Sequence, residues 1–322
     1  MLDEISIDVA SHVDSIIPTV SIVYYNKKDN RKLSTNYRDL GLRPEISLCL
    51  PPLGEEFVEA WSFFTKKNQV HLIDKNIFFL KNEKFCFIQG FSKVFDTPSK
   101  QTFELYNHLL LKAKEEGFYH LQRIWNYVPR INHGEKDQEV YRQFCLGRYK
   151  SFHEQNYIDK DFSAASAVGT DDNKLCVVLL MAKEKGLHFE SPQQQSAFSY
   201  PREYGPKSPS FARATFSNPF NLLFVSGTAS ILGHQSMFIG KVRAQTKQTI
   251  KNIQVLIESI SMKMKQNFTP IFYKVYIRYV DDFSIIKECL LEFIGKTPSL
   301  FLRSDICRKD LLVEVEAVYQ PI

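Results

Sequence analysis

A chain of 322 residues, 44% hydrophobic and 24% charged, is long enough for two domains that each bury a core, and its composition is ordinarily globular. The formal net charge of +5 is mild and comes without a Lys/Arg block, which argues against nucleic acid and suits an anionic small molecule. No run approaches the roughly 18 uncharged apolar residues of a membrane span, and the six scattered cysteines, with no CxxC pair, read as reduced thiols in a cytoplasmic protein.

The acidic start, Met1-Leu-Asp-Glu, lacks the basic region and apolar run of a secretion signal. Further along, Phe85-Cys-Phe-Ile-Gln-Gly90 predicts a short strand ending at glycine. Residues 102–116 follow with Phe103, Leu105, Leu109, Leu110 and Ala113 near helical spacing. Residues 121–131 are strand-like and residues 139–152 predict a second helix. The polar stretch at 155–160 marks the expected boundary between an N-terminal unit, 1–157, and a C-terminal unit, 158–322. The second unit repeats the order. Leu222-Leu-Phe-Val-Ser-Gly227 is the strand, and residues 244–264 are helical, with Ile250, Ile253, Leu256, Ile257 and Ile260 in one apolar stripe. A strand at 272–279, a helix at 283–293 and a closing strand at 311–318 complete it. This repeated β–α–β–α order predicts an α+β fold of two related units, each a sheet with helices packed on one face.

Between residues 187 and 216 lies a long piece rich in Pro, Ser, Tyr and Gln. Proline fixes the backbone and glycine permits unusual angles, so this reads as ordered loop. Long loops in compact domains are commonly functional, and the interleaved aromatic and basic residues favour that here.

Three pieces of the C-terminal half resemble the RidA/YjgF family, whose fold is chorismate mutase-like. They are Phe224-Val-Ser-Gly-Thr-Ala-Ser230, the helix carrying Ala244-Gln-Thr, Thr249 and Asn252-Ile253, and Glu314-Val-Glu-Ala-Val318. Further pieces are similar to the chorismatases, which build on that fold. These are Trp125-Asn-Tyr-Val-Pro-Arg-Ile-Asn132, Tyr141-Arg-Gln-Phe-Cys-Leu-Gly-Arg148, Tyr204-Gly-Pro-Lys-Ser-Pro-Ser-Phe-Ala-Arg213 and Leu302-Arg-Ser-Asp-Ile-Cys-Arg-Lys-Asp-Leu-Leu-Val-Glu314. The resemblance implies two RidA/YjgF-like units, the second carrying most of the active site. It also implies an enzyme that releases pyruvate from the enolpyruvyl ether of chorismate, with no metal or organic cofactor.

Chorismate carries two carboxylates and an enol ether. Two anions need fixed cations, and arginine's planar fork binds a carboxylate bidentately. The resemblance assigns that role to Arg213 and Arg303, with Arg278 a third candidate. Tyr200 and Tyr204 are expected either to bond the substrate and wall off water or simply to pack the loop. Breaking the ether requires a proton on the terminal methylene carbon, or an acid that assists departure of the pyruvyl group, and a carboxylic acid does either only if burial or anionic neighbours raise its pKa. The family places its cleft glutamate at Glu314. Strand alternation puts Glu316 on the same face, as a coupled partner or as the acid itself. Cys307, on a strand entering the cleft, and Ala229 are expected to line the ring pocket and tune the product. The cysteine favours a 3- or 4-hydroxybenzoate over a dihydroxycyclohexadienoate, and the alanine lends that case less support.

Tyr279-Val-Asp-Asp282 mimics a polymerase metal signature, but two-metal catalysis needs further carboxylates. The pair reads instead as an N-terminal helix cap. His234 reads as structural. Two rival functions stand beside chorismate cleavage: an enamine/imine deaminase of the RidA type, and a non-catalytic ligand-binding module. The unlike N-terminal half and the aromatic loop argue against the deaminase. The oligomeric state stays open between monomer and trimer.

Overall fold

The structure, a computed structural model, describes residues 5–10, 20–25, 35–38, 43–54, 58–63, 69–74 and 76–322. The acidic tetrapeptide at the start lies outside them. Among the described residues no helix is long and apolar enough to cross a membrane.

Five strands come first: β1 (Ile5–Ala10), β2 (Val20–Tyr24), β3 (Thr35–Arg38), β4 (Arg43–Leu48) and β5 (Val58–Phe63), ordered β1-β5-β2-β4-β3. This sheet has no counterpart in the expected elements, which begin at Phe85. A second sheet follows from β6 (Gln69–Asp74), β7 (Ile77–Lys81), β8 (Phe85–Val94), β9 (His120–Pro129), β10 (Ala164–Thr170) and β11 (Lys174–Ala182), ordered β10-β9-β11-β8-β7-β6. Its helices are α1 (Pro98–Glu115) and α2 (Val140–Glu154). The first starts four residues earlier than its apolar spacing suggests because Pro98 sits in its first turn, where a missing N–H costs nothing. The stretch at 155–160, expected as the boundary, leads from α2 into β10 of this same sheet.

The third sheet contains β12 (Leu187–Phe189), β13 (Ala214–Ser217), β14 (Leu222–Ala229), β17 (Phe268–Ile277), β18 (Ser299–Arg303) and β19 (Val313–Pro321), ordered β12-β13-β14-β19-β17-β18. A small hairpin, β15 (Ile231–Leu232) and β16 (Gln235–Ser236), precedes α3 (Val242–Met264), and α4 (Phe283–Ile294) follows β17. The cap expected at Asp281-Asp282 needs correction. Asp282 stands at the N-cap position with helical dihedrals and makes no side-chain cap bond, because a 3-10 turn runs straight into α4.

Each helix pair covers one face of its sheet, as the repeated element order predicts. Along β11, Leu175, Val177, Leu179 and Met181 pack under α1 and α2, while Cys176, Val178, Leu180 and Ala182 point the other way. On β19, Val313, Val315, Ala317 and Tyr319 pack toward α3 and α4. The helix-free faces of the two sheets share one core with the N-terminal sheet, joining Trp61 and Leu48 to Trp125, Phe87, Phe224 and Val318. At the seam, edge strand β10 runs beside the third sheet. Ala164 N donates to Thr215 Oγ1 at 2.7 Å and Ala165 N to Ser226 Oγ at 2.9 Å.

Candidate active site

Alternation along β19 turns Glu314 and Glu316 away from the α3–α4 core, toward the helix-free interior, and both are buried. Opposite Glu314 the β14 ladder shifts register between Val225 and Thr228, and Gly227 sits in that irregularity. A Cβ on Gly227 would fall 1.9 Å from Glu314 Oε1. The glycine is therefore what gives the carboxyl its room.

That carboxyl faces a cavity of about 270 Å³ at the seam between the second and third sheets, near the lower end for small-molecule sites. α2 and its approach contribute Tyr141, Arg142 and Arg148, and β10 contributes Ala165 and Ser166. The long central loop adds Tyr200, Tyr204 and Arg213, and the turn before β19 adds Cys307 and Arg308. Ala229 completes the wall beside Gly227. The loop is pinned over α2 by Arg202, whose guanidinium donates to both carboxylate oxygens of Asp137 at 2.9 and 2.5 Å.

The two glutamates part company electrostatically. Burial, and next the negative charge of Glu316, push the Glu314 carboxyl up to about 8; Arg123 and Arg278 pull weakly against them. Glu316 is also driven upward by burial, but its cationic neighbours win and hold it below the usual carboxylate range. Lys274 Nζ lies 3.1 Å from one oxygen, where the Trp125 indole also donates at 3.0 Å. Arg123 Nη2 lies 2.6 Å from the other, which also accepts from the Ser166 hydroxyl. The two environments push the carboxyls apart, Glu314 toward its protonated form and Glu316 toward its anion.

Three arginines in the wall lack a carboxylate partner among the described residues. Arg213 Nη2 donates to the Tyr200 hydroxyl at 2.7 Å and the Gln195 carbonyl at 2.8 Å, and its buried Nε has no acceptor. Buried Arg148 stands over the Phe144 ring at 5.0 Å with its Nε unpartnered. Arg308 lies 4.0 Å from the Tyr204 ring centre and donates Nη1 to the His234 carbonyl at 2.8 Å, leaving Nη2 unpartnered. A buried cation without a counterion is costly, so such a site favours an incoming anion.

Arg213, Tyr200, Tyr204, Ala229, Cys307 and Glu314 therefore meet at one cavity, as expected, and the other expected residues do not. Glu316 stays behind the wall, committed to its cations. Arg278 faces the turn before β19 and donates to the carbonyls of Ile306, Arg308 and Leu311 and to Asn132 and Asp305, so its fork is spent on holding that turn. Arg303 lies half-buried beyond the cavity, 3.6 Å from Asp171 and 3.4 Å from Asp305. Cys307 sits on the turn itself and not on a strand. His234 approaches the Tyr204 hydroxyl with Nδ1 at 3.2 Å and supports that ring. Arg303→Ala is accordingly expected to leave the Michaelis constant for substrate within about twofold and to cost about 1 kcal/mol of stability or less, as surface pairs do. A tenfold rise in the Michaelis constant would return Arg303 to the site.

Sequence reading passed over Arg148, Arg308 and Gly227, although each lay inside a quoted motif. It also passed over Arg123 and Lys274; Lys274 carried a signal, as the one charged residue in the aromatic and apolar run of its strand.

A family model described as chorismatase FkbO/Hyg5-like, N-terminal, matches residues 59–181. A 3-hydroxybenzoate synthase from Streptomyces hygroscopicus is 30% identical over 291 residues, covering 85% of both chains. A chorismatase from Streptomyces rapamycinicus is 33% identical over 215 residues, 63% of this chain and 64% of that one. A crystal structure of a chorismatase superposes with a TM-score of 0.84 over 99% of both chains, at 24% identity, so the whole fold is shared. With that fold, and with a relative matched along most of its length, the chain belongs to the chorismatase family.

Proposed function

We propose that this enzyme cleaves chorismate, releasing pyruvate, with Glu314 as the general acid and Arg213, Arg148 and Arg308 as carboxylate partners. The observation that carries this reading is a buried carboxyl, pushed up to about 8 by burial and by Glu316, facing a cavity whose Arg148, Arg213 and Arg308 form no ion pair among the described residues. Substrate supplies the missing negative charge twice over. Protonating the terminal methylene carbon turns the enol ether into an oxocarbenium ion, and that carbon becomes the methyl group of pyruvate. Capture by one water gives pyruvate and a dihydroxycyclohexadienoate. Aromatisation instead gives pyruvate and a hydroxybenzoate, whose atoms together equal those of chorismate, so no net water is consumed.

We assign 3-hydroxybenzoate as the aromatic product. The relative matched over most of this chain carries that name, and Cys307, Ala229 and Ile231 stand in the cavity wall, packed in one apolar cluster with Ile306 and Leu311. Burial, then the nearby Glu314, push the Cys307 thiol upward, so it lines the ring pocket as a neutral, compact group. Cys307→Val adds a methyl group and removes the weak hydrogen-bonding sulfur. The larger side chain is expected to disturb the rearrangement and raise the share of dihydrodiol. An unchanged product ratio would reduce Cys307 to packing. The reading as a whole is tested by incubating the protein with chorismate, measuring pyruvate, and separating the ring products by chromatography. Absence of pyruvate sinks it, and dihydrodiol alone sinks the product assignment.

A further inference from the structure

The charged network behind the cavity extends to the N-terminal sheet, none of whose described residues lines that cavity. Lys274 and Glu316 face each other directly across the β17–β19 ladder. Lys274 Nζ lies 3.1 Å from Glu316 and 2.7 Å from Glu59 of β5, and Arg123 lies 2.6 Å from Glu316. All four side chains are buried, at 6% exposure or less. Two carboxylates and two cations make the network neutral, and burial leaves its charges poorly screened. Glu59 is itself oriented by the Trp61 indole, which donates at 2.8 Å, and by the Tyr24 hydroxyl, which donates at 2.5 Å.

We propose that Glu59 is a positioning residue for the reaction: by balancing Lys274 it keeps the buried network behind Glu314 neutral, so that no net positive charge stands there to draw off the Glu314 proton. This rests on Glu314 being the acid. Were Glu59 neutral, the network would carry a net positive charge, which favours the ionised form of Glu314 and removes its proton at lower pH. The other charges that bear on Glu314 are Arg123 from β9 and Arg278; its cavity is shared by Glu139, Arg142 and Arg148 from α2 and its approach, Arg213 from the central loop, and Arg308, Lys309 and Asp310 from the turn before β19, and none of these forms an ion pair with Glu59 among the described residues. A purely architectural Glu59, anchoring the sheet through Tyr24 and Trp61, makes a different forecast. Its loss would weaken the fold without displacing the pH profile.

The experiment is the pH dependence of kcat/KM for pyruvate release from chorismate. Glu59→Gln is expected to move the alkaline limb down by about half a pH unit or more, and Glu59→Asp to leave it near its natural place. The pair Glu59→Gln with Lys274→Gln removes both charges and should bring the limb back to its natural position or above it. A folded Glu59→Gln enzyme with an unmoved limb overturns the proposal. If only the double variant folds, a limb below the natural one overturns it. A natural enzyme that releases no pyruvate instead overturns the functional reading. The inference then stands or falls on unfolding measurements, where Glu59→Gln should lower the pH at which the Glu314-dependent loss of stability levels off.

Discussion

Glu314→Gln is expected to slow pyruvate release by about 10²–10⁴-fold while the chain stays folded, since glutamine keeps the volume and removes the transferable proton. The natural enzyme should lose kcat/KM above about pH 8, where the buried carboxyl gives up its proton. Stability follows with a definite sign. The folded pKa of Glu314 lies above its unfolded value, so the folded chain holds a proton that the unfolded chain releases between about pH 4.5 and 8. Its contribution is intact below that window, declines through it, and is fully lost above it. At pH 9 the glutamine variant should therefore be the more stable by a few kcal/mol, because it carries no buried charge. Urea titrations of both proteins at pH 5 and pH 9 check this. Equal stability at both pH values, with normal turnover in the variant, would remove Glu314 from the mechanism.

The second large effect comes from a residue with no side chain. Gly227→Ala places a methyl group 1.9 Å from Glu314 Oε1 and 2.7 Å from its Cδ, distances no pair of atoms sustains. The far end of a glutamate can swing, so the fold is expected to survive with the carboxyl displaced. Misplacement of a reacting group by about 1 Å costs about 10²-fold in rate. Gly227→Ala should thus lower kcat by roughly that factor with a Michaelis constant little changed, because the arginine wall is untouched. A variant with natural kcat would mean that Glu314 reacts from another position, and a large rise in the Michaelis constant would mean that Gly227 borders the substrate itself.

Local signals explain why so much of the fold was legible. The apolar stripe of α3 has a period that survives without tertiary context, and the runs at Phe85 and Leu222 are short apolar stretches that each break at a glycine. β11 escaped because Leu175-Cys-Val-Val-Leu-Leu-Met-Ala182 is buried on both faces, so it shows no alternation. The closing strand was legible because Glu314 and Glu316 interrupt an apolar run at period two, which places both on one face.

What the sequence by itself determined is the α+β order of elements, the family motifs and the facing of the two glutamates. These depend on spacing along one strand or helix. Only the tertiary structure decided which glutamate is paired with cations and which faces the cavity without one. Arg123 reaches Glu316 from 193 residues away, and Lys274 reaches it across the ladder from β17. It also decided which arginines line the cavity. Arg303 and Arg308 stand five positions apart in one motif, yet one pairs with Asp171 outside the cavity and the other lies against Tyr204 inside it. A side chain's charge state and partners depend on what distant segments bring within a few ångströms, and no local periodicity encodes that.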